Sequence, residues 1–312
     1  MHWTDDAVIM ILAVCHAFIP EHHMSATLPL RYQAEIFCKQ HRAGEMIVLP
    51  NAWDPGSAAL MVEAGFPVIA TTSSGIAYAR GCRDGETLGR AGMLECVAAI
   101  VARSAVPVTG DLEAGYGPAP EDVAETVSRA ITIGLVGCNI EDSDPQSRRL
   151  IDSDLAVSRI RAGRAAADRC GVPFVLNART DPYLVGHGDA AENFREAVRR
   201  ANAYLAAGAT CAYVPGPGDP ATVARLVAAI DGPLNILAGM AGRQGMTLDE
   251  IRCLGVRRVS IGGSLMPSVL THVRKVLTDI SERGDFGYAV SAITNRQMDA
   301  MMAMRQPAMT KG

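Results

Sequence analysis

The chain has 312 residues, of which 49% are hydrophobic and 20% are charged, and its formal net charge is −4. This composition is ordinary for a globular protein and supplies enough apolar residues for a large core. The weak acidity, the lack of Lys/Arg runs and an aromatic content of only 5% exclude a typical nucleic-acid-binding surface. The eight cysteines are scattered singly, which argues against a zinc site and indicates a reducing cytoplasm.

The N-terminal segment, residues 1–30, is predicted to lie outside the fold. Its apolar run at residues 8–19 is too short to span a bilayer, and acidic residues precede it instead of the positive charges of a secretory signal. From Met24 onward the sequence looks more like the ordinary start of a protein. We therefore expect an N-terminal extension that is either disordered or upstream of the true translation start.

From Ile47 onward, a short apolar run is followed repeatedly by a segment with helical character. Asp54-Pro55 indicates the start of the first helix, since Asp caps a helix and Pro fits its first turn. Thr247 with Glu250 three residues later is a capping box. The apolar runs are continuous, as in strands that are buried on both faces. Strands are predicted at residues 47–51, 67–71, 106–111, 136–140, 173–178, 210–214, 234–237 and 258–261.

Eight β-then-α units of similar length predict an α/β fold, a (β/α)8 TIM-type barrel that spans residues 31–285. An open doubly wound sheet would usually carry a Gly-rich turn after its first strand, and Pro50-Asn51-Ala52-Trp53 is not one. A C-terminal tail, residues 286–312, follows the barrel and contains a Met-rich helix at about 289–304. A helix of this kind outside a closed barrel is predicted to pack on a neighbouring subunit.

Three carboxylates follow neighbouring strands at the end where parallel α/β proteins place their active sites. Asp111 and Glu113 follow the third predicted strand, and Glu141 follows the fourth. Several buried carboxylates together need a partner, which is usually a hard cation. The sequence predicts a Mg²⁺ site, with Mn²⁺ as the alternative ion, in which Asp111 binds directly and the two glutamates hold metal-bound water. In the competing interpretation, the glutamates pair with arginines at the barrel rim.

Other side chains at the same end are predicted to bind a substrate. Arg179 offers a planar fork for a carboxylate or phosphonate, or it pairs with Asp181 or Glu141. Asn235 is predicted to contact a substrate oxygen, or to satisfy backbone groups instead. Asp84, taken alone, is a solvated loop acid. A Ser/Gly turn after the second strand has hydroxyls and free N–H groups that suit an anion, although such turns are common. That turn comprises Thr72, Ser73, Ser74 and Gly75.

Several of these residues belong to recognisable motifs. The most specific motif is Gly110-Asp111-Leu112-Glu113-Ala114-Gly115-Tyr116-Gly117, and it is accompanied by Asn139-Ile140-Glu141-Asp142 and Asn177-Ala178-Arg179-Thr180-Asp181. Residues 72–75, of low specificity, and residues 81–84 complete the set. With these motifs the chain resembles the isocitrate lyase/phosphoenolpyruvate mutase superfamily from about residue 49 to residue 266.

The resemblance implies a (β/α)8 barrel whose last helix is swapped between subunits, usually in a tetramer. It implies that Arg179 grips the substrate, that Asp84 lies near the reacting group, and that residues 73–75 hold a 2-oxo carboxylate. It implies one Mg²⁺ ion that is held through the side chains of Asp111, Glu113 and Glu141. The family usually has Asp where Glu113 stands, and the longer side chain suits binding through water.

One loop departs from the family pattern. Isocitrate and methylisocitrate lyases carry a Lys-Lys-Cys-Gly-His loop after the fourth strand, and its Cys is the general acid. Residues 142–150 of this chain read Asp-Ser-Asp-Pro-Gln-Ser-Arg-Arg-Leu and contain no Cys, Lys or His. The Lys and Asn of the mutase loop are missing as well. The resemblance is therefore to a subgroup that lacks this loop, and isocitrate cleavage is not expected.

The chemistry that this superfamily shares is a pyruvate-type enolate stabilised by Mg²⁺. We therefore predict a carbon–carbon lyase or decarboxylase that acts on a small 2-oxo or 2-hydroxy dicarboxylate. One alternative is P–C bond chemistry of the phosphonopyruvate hydrolase or phosphoenolpyruvate mutase type. Another is a barrel that binds a 2-oxo acid without turning it over. The expected partners are this small-molecule acid and further copies of the chain, as a dimer or tetramer, with no nucleic acid or membrane.

Overall fold

The computed structural model of the chain describes residues 29–240 and 245–303. The predicted extension at residues 1–28 and the last part of the tail, residues 304–312, lie outside the described residues. The strands of the described part are β1 (Ile47–Leu49), β2 (Asn51–Ala52), β3 (Ile69–Thr71), β4 (Val108–Asp111), β5 (Gly137–Glu141), β6 (Val175–Arg179), β7 (Cys211–Val214), β8 (Leu234–Leu237) and β9 (Arg258–Ser260).

These strands form one parallel sheet in the order β1-β9-β8-β7-β6-β5-β4-β3-β2. Segments β1 and β2 are two halves of the first barrel strand, separated by Pro50, which has no backbone N–H to donate. The first half pairs with β9 and the second pairs with β3, so the interrupted strand brings the two edges of the sheet together. The prediction of a TIM-type barrel is confirmed.

Helices follow the strands and surround them. They are α1 (Leu30–Arg42), α2 (Pro55–Glu63), α3 (Ser73–Ala79), α4 (Gly89–Arg103), α5 (Pro120–Thr132), α6 (Ser153–Arg169), α7 (Pro182–Val185), α8 (Ala190–Ala206), α9 (Pro220–Ala229), α10 (Leu248–Cys253), α11 (Leu265–Arg283) and α12 (Asn295–Ala303). The predicted helix starts are confirmed, because Asp54 caps α2 and Thr247 forms a capping box with Glu250. None of the helices in the described ranges is long and apolar enough to cross a lipid bilayer.

Helix α1 closes the end of the barrel at which the strands begin. Its apolar positions 34, 37 and 38 pack in one buried cluster with Val68, Val136 and Val175, which lie at the starts of β3, β5 and β6. Phe37 is completely buried there. The sequence pattern from Ile47 onward did not include this helix. Because α1 covers one end of the barrel, the opposite end, where the strands finish, remains available for a site.

The C-terminal segment contains the Met-rich helix that was predicted at about residues 289–304. The Met-rich helix α12 packs on α2 of its own chain, where Met301 is buried and the Met302 carbonyl accepts a hydrogen bond from Arg103 Nη2 at 2.5 Å. A contact of this helix with a neighbouring subunit stays a prediction. An uncovered apolar stripe lies on α11, where four large side chains are 42–59% exposed: Val269, Leu270, Val273 and Leu277.

Candidate active site

The cavity that contains most of the predicted acids lies at the carboxyl ends of β5 and β6. Its volume is ≈ 220 Å³, and clefts of ≈ 450, ≈ 570 and ≈ 700 Å³ lie elsewhere on the described part of the chain. We assign the smaller cavity as the candidate active site because five acidic and two basic side chains line it. These are Asp84, Glu113, Glu141, Asp144, Asp181, Arg148 and Arg179.

Asp111 ends strand β4 and is held in one orientation. Its backbone N–H donates to Thr71 Oγ1 at 2.9 Å. Its Oδ2 atom accepts hydrogen bonds from the Ser73 N–H at 3.0 Å and from the Ser73 hydroxyl at 2.9 Å. Its Oδ1 atom is buried and has no hydrogen-bond partner among the described residues. Since a buried polar atom is costly without a partner, this oxygen is suited to bind a cation that the protein takes up.

Glu113 lies in the turn that follows β4 and is bound by two other groups of that region. Its carboxylate accepts hydrogen bonds from the Glu86 backbone N–H and from the Tyr116 hydroxyl, the latter at 3.1 Å. The Glu86 carboxylate in turn accepts from the Tyr116 N–H at 2.6 Å. Burial, with a further contribution from the charges of Asp111 and Asp84, raises the pKa of Glu113 to about 7. The site therefore favours an additional positive charge.

The turn itself has an unusual backbone. Glu113 and Tyr116 have φ values of 50° and 61°, a left-handed conformation that costs a non-glycine residue about 1–2 kcal/mol. Gly117 has φ 152°, and a Cβ atom there would overlap the Asp122 carboxylate. Arg159 of α6 is buried and donates to the carbonyls of Ala114, of Gly117 at 2.6 Å and of Pro118 at 2.7 Å. These bonds hold the turn in place, so Arg159 is a positioning residue that the sequence analysis missed.

Glu141 and Arg179 end neighbouring strands and form an ion pair. Arg179 Nη1 lies 2.6 Å from a Glu141 oxygen, and the pair is formed between directly opposite residues of β5 and β6. Arg179 also donates two parallel hydrogen bonds to Asp181, at 2.7 and 2.9 Å. The alternative prediction for Arg179, an ion pair with Asp181 or Glu141, therefore matches the contacts that the structure shows. Burial raises the pKa of Glu141 well above its usual value, more than the charge of Arg179 lowers it.

The predicted metal ligands share one region without forming a closed coordination shell. Among residues 29–240 and 245–303, no three His, Cys, Asp or Glu side chains stand close enough together to hold a metal ion. Asp111 offers one unpartnered oxygen, while Glu113 and Glu141 point to Tyr116 and Arg179. This arrangement suits one direct carboxylate and two that act through water, a pattern common for Mg²⁺. The ligand assignment itself stays a prediction.

The Ser/Gly turn expected after the second strand is part of a helix. Thr72 is the N-cap of α3, and its side chain accepts from the Gly75 N–H at 3.3 Å. Both donors of Ser73 are engaged by Asp111, and Ser74 Oγ lies 3.1 Å from Thr72 Oγ1. The N–H groups of Ser73 and Gly75 are therefore not free for an anion. Of the four residues, only Ser73 lines the cavity.

Asp84 and Asn235 have different positions relative to the cavity. Asp84 is half-buried and lines it, so it is not a solvated loop acid. Burial, and after it the charge of Asp111, raises the pKa of Asp84, while Arg179 and Arg148 lower it. Asn235 is fully buried, does not line the cavity and donates to Ser260 Oγ at 3.0 Å. It contributes a hydrogen bond inside the barrel, which is close to the alternative predicted for it.

Asp142 organises the back of the site through four partners. Its carboxylate accepts from Thr180 Oγ1 at 2.7 Å, from the Asp181 N–H at 2.9 Å and from Tyr204 OH at 2.6 Å, and Arg200 lies 3.2 Å away. These bonds fix the segment that follows Arg179. Asp142 belongs to one of the motifs that carry the family resemblance, but no role was predicted for it. Its position directly after a strand end, next to a candidate ligand, was the available signal.

Comparison with known proteins identifies relatives over most of the chain. The family model described as phosphoenolpyruvate phosphomutase matches residues 37–281. An uncharacterized protein of Mycobacterium tuberculosis is 35% identical over 71% of this chain and 80% of its own length. A Corynebacterium glutamicum protein named as a 2-methylisocitrate lyase is 29% identical over 78% of this chain and 78% of its own length.

Two crystal structures of Burkholderia cenocepacia J2315 proteins have the same architecture. One, named as a lyase/mutase, has a TM-score of 0.83 and is 35% identical, covering 89% of this chain and 99% of the other. The second, named as a phosphonomutase, has a TM-score of 0.74 and is 41% identical, covering 79% of this chain and 99% of the other. Some relatives are therefore named for reactions at C–C bonds and others for reactions at P–C bonds.

Proposed function

Because the chain belongs to the phosphoenolpyruvate phosphomutase family, within the isocitrate lyase/phosphoenolpyruvate mutase superfamily, we propose that it is a Mg²⁺-dependent carbon–carbon lyase or decarboxylase. Its substrate is a small 2-oxo or 2-hydroxy dicarboxylate. In a 2-oxo diacid the bond that breaks is C3–C4, and its electron pair is delocalised onto the 2-oxo oxygen as a pyruvate-type enolate, which is then protonated. In a 2-hydroxy diacid the bond that breaks is C2–C3: the hydroxyl loses its proton, C2 becomes the carbonyl of a 2-oxo acid, and the other fragment leaves as an enolate that takes up a proton.

The observation that carries this proposal is the state of Asp111. One of its oxygens is buried and unpartnered, and the charges of Asp84, Glu113 and Glu141 lie in the same region. Burial, together with the charge of Asp111, raises the pKa values of Asp84, Glu113 and Glu141, so a bound cation would stabilise their anionic forms. Mg²⁺ (or Mn²⁺), held by Asp111 directly and by the two glutamates through water, would supply a Lewis acid for the enolate oxygen.

Arg179 would bind the substrate, Asp84 would transfer protons, and Ser73 orients Asp111. Arg179 is kept rigid by Asp181 and Glu141, and its planar guanidinium lies on the cavity wall, where a substrate carboxylate would exchange with one of these partners. Asp84 lines the same cavity and burial raises the pKa of its carboxyl group, so it is suited to exchange a proton with the reacting group. Ser73 orients Asp111 through two hydrogen bonds.

The direct test is a screen of 2-oxo and 2-hydroxy diacids with Mg²⁺, in which release of pyruvate or glyoxylate is measured with coupled dehydrogenases. We expect Mg²⁺-dependent release from at least one diacid and none after addition of EDTA. A chain that releases neither product from any candidate, but is stabilised by these acids against heating, would instead be a binding protein.

A second candidate is P–C bond chemistry, which the 41% identity to a protein named as a phosphonomutase favours. Incubation with phosphonopyruvate and Mg²⁺ distinguishes the two, because phosphorus NMR resolves phosphonate, phosphate and phosphate-ester signals. Loss of the phosphonate signal without any C–C product from the diacids would support this candidate over the lyase.

The oligomeric state and location follow the same reasoning. We propose that α11 packs on a second copy of the chain, because its apolar stripe is uncovered in a single copy and such stripes usually mark interfaces. A helix exchanged between subunits, in a dimer or tetramer, accounts for this exposure. Light scattering of the purified chain measures the assembly. A cytoplasmic location stays a prediction from the scattered cysteines.

A further inference from the structure

The loop that departs from the family pattern has a defined structure in this chain. Ser143 and Leu150 form an antiparallel bridge, and the Asp144 N–H donates to the Arg149 carbonyl at 2.8 Å. The Asp144 carboxylate accepts from the N–H groups of Gln146 at 3.1 Å and Ser147 at 2.6 Å. Residues 143–150 therefore form a compact hairpin at the edge of the active-site cavity.

The tip of this hairpin presents Arg148 to the cavity. Arg148 has φ 55°, a left-handed conformation that is uncommon for a residue other than glycine, and its N–H donates to the Asp144 carbonyl at 2.9 Å. It lines the cavity together with Asp84, Glu141 and Arg179. Its guanidinium makes no hydrogen bond or ion pair with any residue of the described ranges. The neighbouring Arg149 is exposed and does not line the cavity.

Because most of the charged side chains that line the cavity are acidic, the guanidinium of Arg148 is important for binding an anion there. Five carboxylates line the cavity against two arginines. All three side-chain nitrogens of Arg179 already contact Glu141 or Asp181. An anionic group that enters the cavity away from a bound cation therefore meets carboxylates on most sides. Arg148 acts on Asp84 through its charge, but among the described residues no carboxylate lies within ion-pair distance of its guanidinium. A guanidinium binds a planar carboxylate through two parallel hydrogen bonds.

We propose that Arg148 binds the second anionic group of the substrate, the carboxylate on the far side of the bond that breaks, and so selects diacids over monoacids. This inference rests on the proposed function, and it identifies a specificity residue for it. A phosphonate at the same position shares the required charge and geometry, so the experiment includes both groups. The hairpin holds Arg148 at the cavity edge, where the loop of the related lyases carries a different set of residues.

The experiment measures binding by calorimetry in the presence of Mg²⁺, so that it does not depend on turnover. Oxalate matches the 2-oxo acid end alone, whereas 3,3-difluorooxaloacetate adds a distal carboxylate and phosphonopyruvate adds a distal phosphonate. In Arg148→Gln we expect affinity for the two distal-group ligands to fall by about 10- to 100-fold, with oxalate affinity changed less than about 2-fold. The affinities of Arg148→Lys for these two ligands should lie between those of the wild type and of Arg148→Gln, because lysine keeps the positive charge but cannot form two parallel hydrogen bonds. Arg149→Gln is the matched control and should leave all three affinities unchanged.

The outcomes separate this inference from the function on which it rests. If the wild-type chain binds none of the three ligands with Mg²⁺, the proposed function and this inference are both wrong. If the wild type binds them and Arg148→Gln weakens all three equally, or weakens none, the inference alone is wrong. A selective loss for difluorooxaloacetate supports a carboxylate as the natural group, and a larger selective loss for phosphonopyruvate supports a phosphonate. Unchanged circular dichroism and unfolding midpoint in the variants show that the hairpin change has not unfolded the chain.

Discussion

The two ends of the barrel bury ionisable groups in opposite ways. At the end where the strands begin, His41 is fully buried and neutral, donates from Nδ1 to the Phe37 carbonyl at 2.8 Å and lies against an apolar cluster. At the end where they finish, burial raises the pKa values of Glu113 and Glu141, and the nearby charge of Asp111 raises them further. One end is closed by α1 and is suited to stability. The other keeps unfavourable charges together and is suited to binding.

The largest expected effect is at the acidic end. In Asp111→Ala we expect turnover to fall on the order of a thousandfold or more, because the direct ligand of the proposed cation is lost. The free energy of unfolding should change by no more than about 1–3 kcal/mol, because the loss of two hydrogen bonds from Ser73 opposes the removal of a repulsive charge. Steady-state assays and urea unfolding measure the two quantities, and Asp111→Asn keeps the shape while removing the charge. Full activity of the wild type in EDTA would contradict the metal role.

At the closed end the expectation is reversed. Phe37→Ala should lower the free energy of unfolding by about 3–5 kcal/mol, because it empties a completely buried position. The activity of the folded fraction should stay within about 2-fold of wild type, because α1 does not reach the cavity. Urea denaturation monitored by circular dichroism gives the first quantity. Ile36→Ala is the control on the same helix, where 40% exposure predicts a change of only about 0.5 kcal/mol.

At the closed end, the buried His41 should make the stability of the fold depend on pH. Burial, followed by the charge of Arg258, lowers the pKa of His41 from 6.5 to about 3. Between these values the unfolded chain binds a proton that the folded chain does not, so the free energy of unfolding falls as pH decreases from 6.5. One such proton contributes up to about 1.4 kcal/mol per pH unit. His41→Asn keeps a donor for the Phe37 carbonyl, and it should flatten this slope in urea titrations at several pH values.

Glu113 should give a slope of the opposite sign over a narrower pH range. Its pKa rises from 4.5 to about 7, with burial as the main cause, so the folded chain binds a proton that the unfolded chain releases. In EDTA the free energy of unfolding should therefore fall as pH increases from about 4.5 to 7. Glu113→Gln removes the titrating group and keeps acceptors for Tyr116 and Glu86. A slope that is identical in wild type and Glu113→Gln would show that Glu113 does not titrate in this range.

Local patterns predicted the barrel and the acids, but not their partners. The strands and capped helices were readable because apolar runs, Asp-Pro pairs and capping boxes act over a few residues. Helix α1 was missed although its buried positions 34, 37, 38 and 41 have helical spacing. Its apolar face contains a His and a Cys, which weakens the hydrophobic signal.

The contacts that decide the state of the site join distant parts of the chain. Arg159 binds carbonyls 41–45 residues away, and Asp142 is bound by Tyr204, 62 residues away. Such pairings depend on how α6 and α8 lie over the strand ends, which no local pattern specifies. The Arg179–Glu141 pair was foreseen as an alternative, because both residues end neighbouring strands. The helical form of residues 73–75 was not, since Ser and Gly are poor helix formers.

The composition of the cavity wall has a chemical consequence. None of the residues lining the active-site cavity is a cysteine, and the loop at its edge has none either. Inside the barrel, Cys138 and Cys211 are fully buried, and burial raises the pKa of the Cys211 thiol to about 12. Peroxide and alkylating reagents attack the thiolate form, so these sulfurs are protected. Catalysis that relies on carboxylates and arginines should therefore continue through oxidative stress that disables enzymes with an essential thiol.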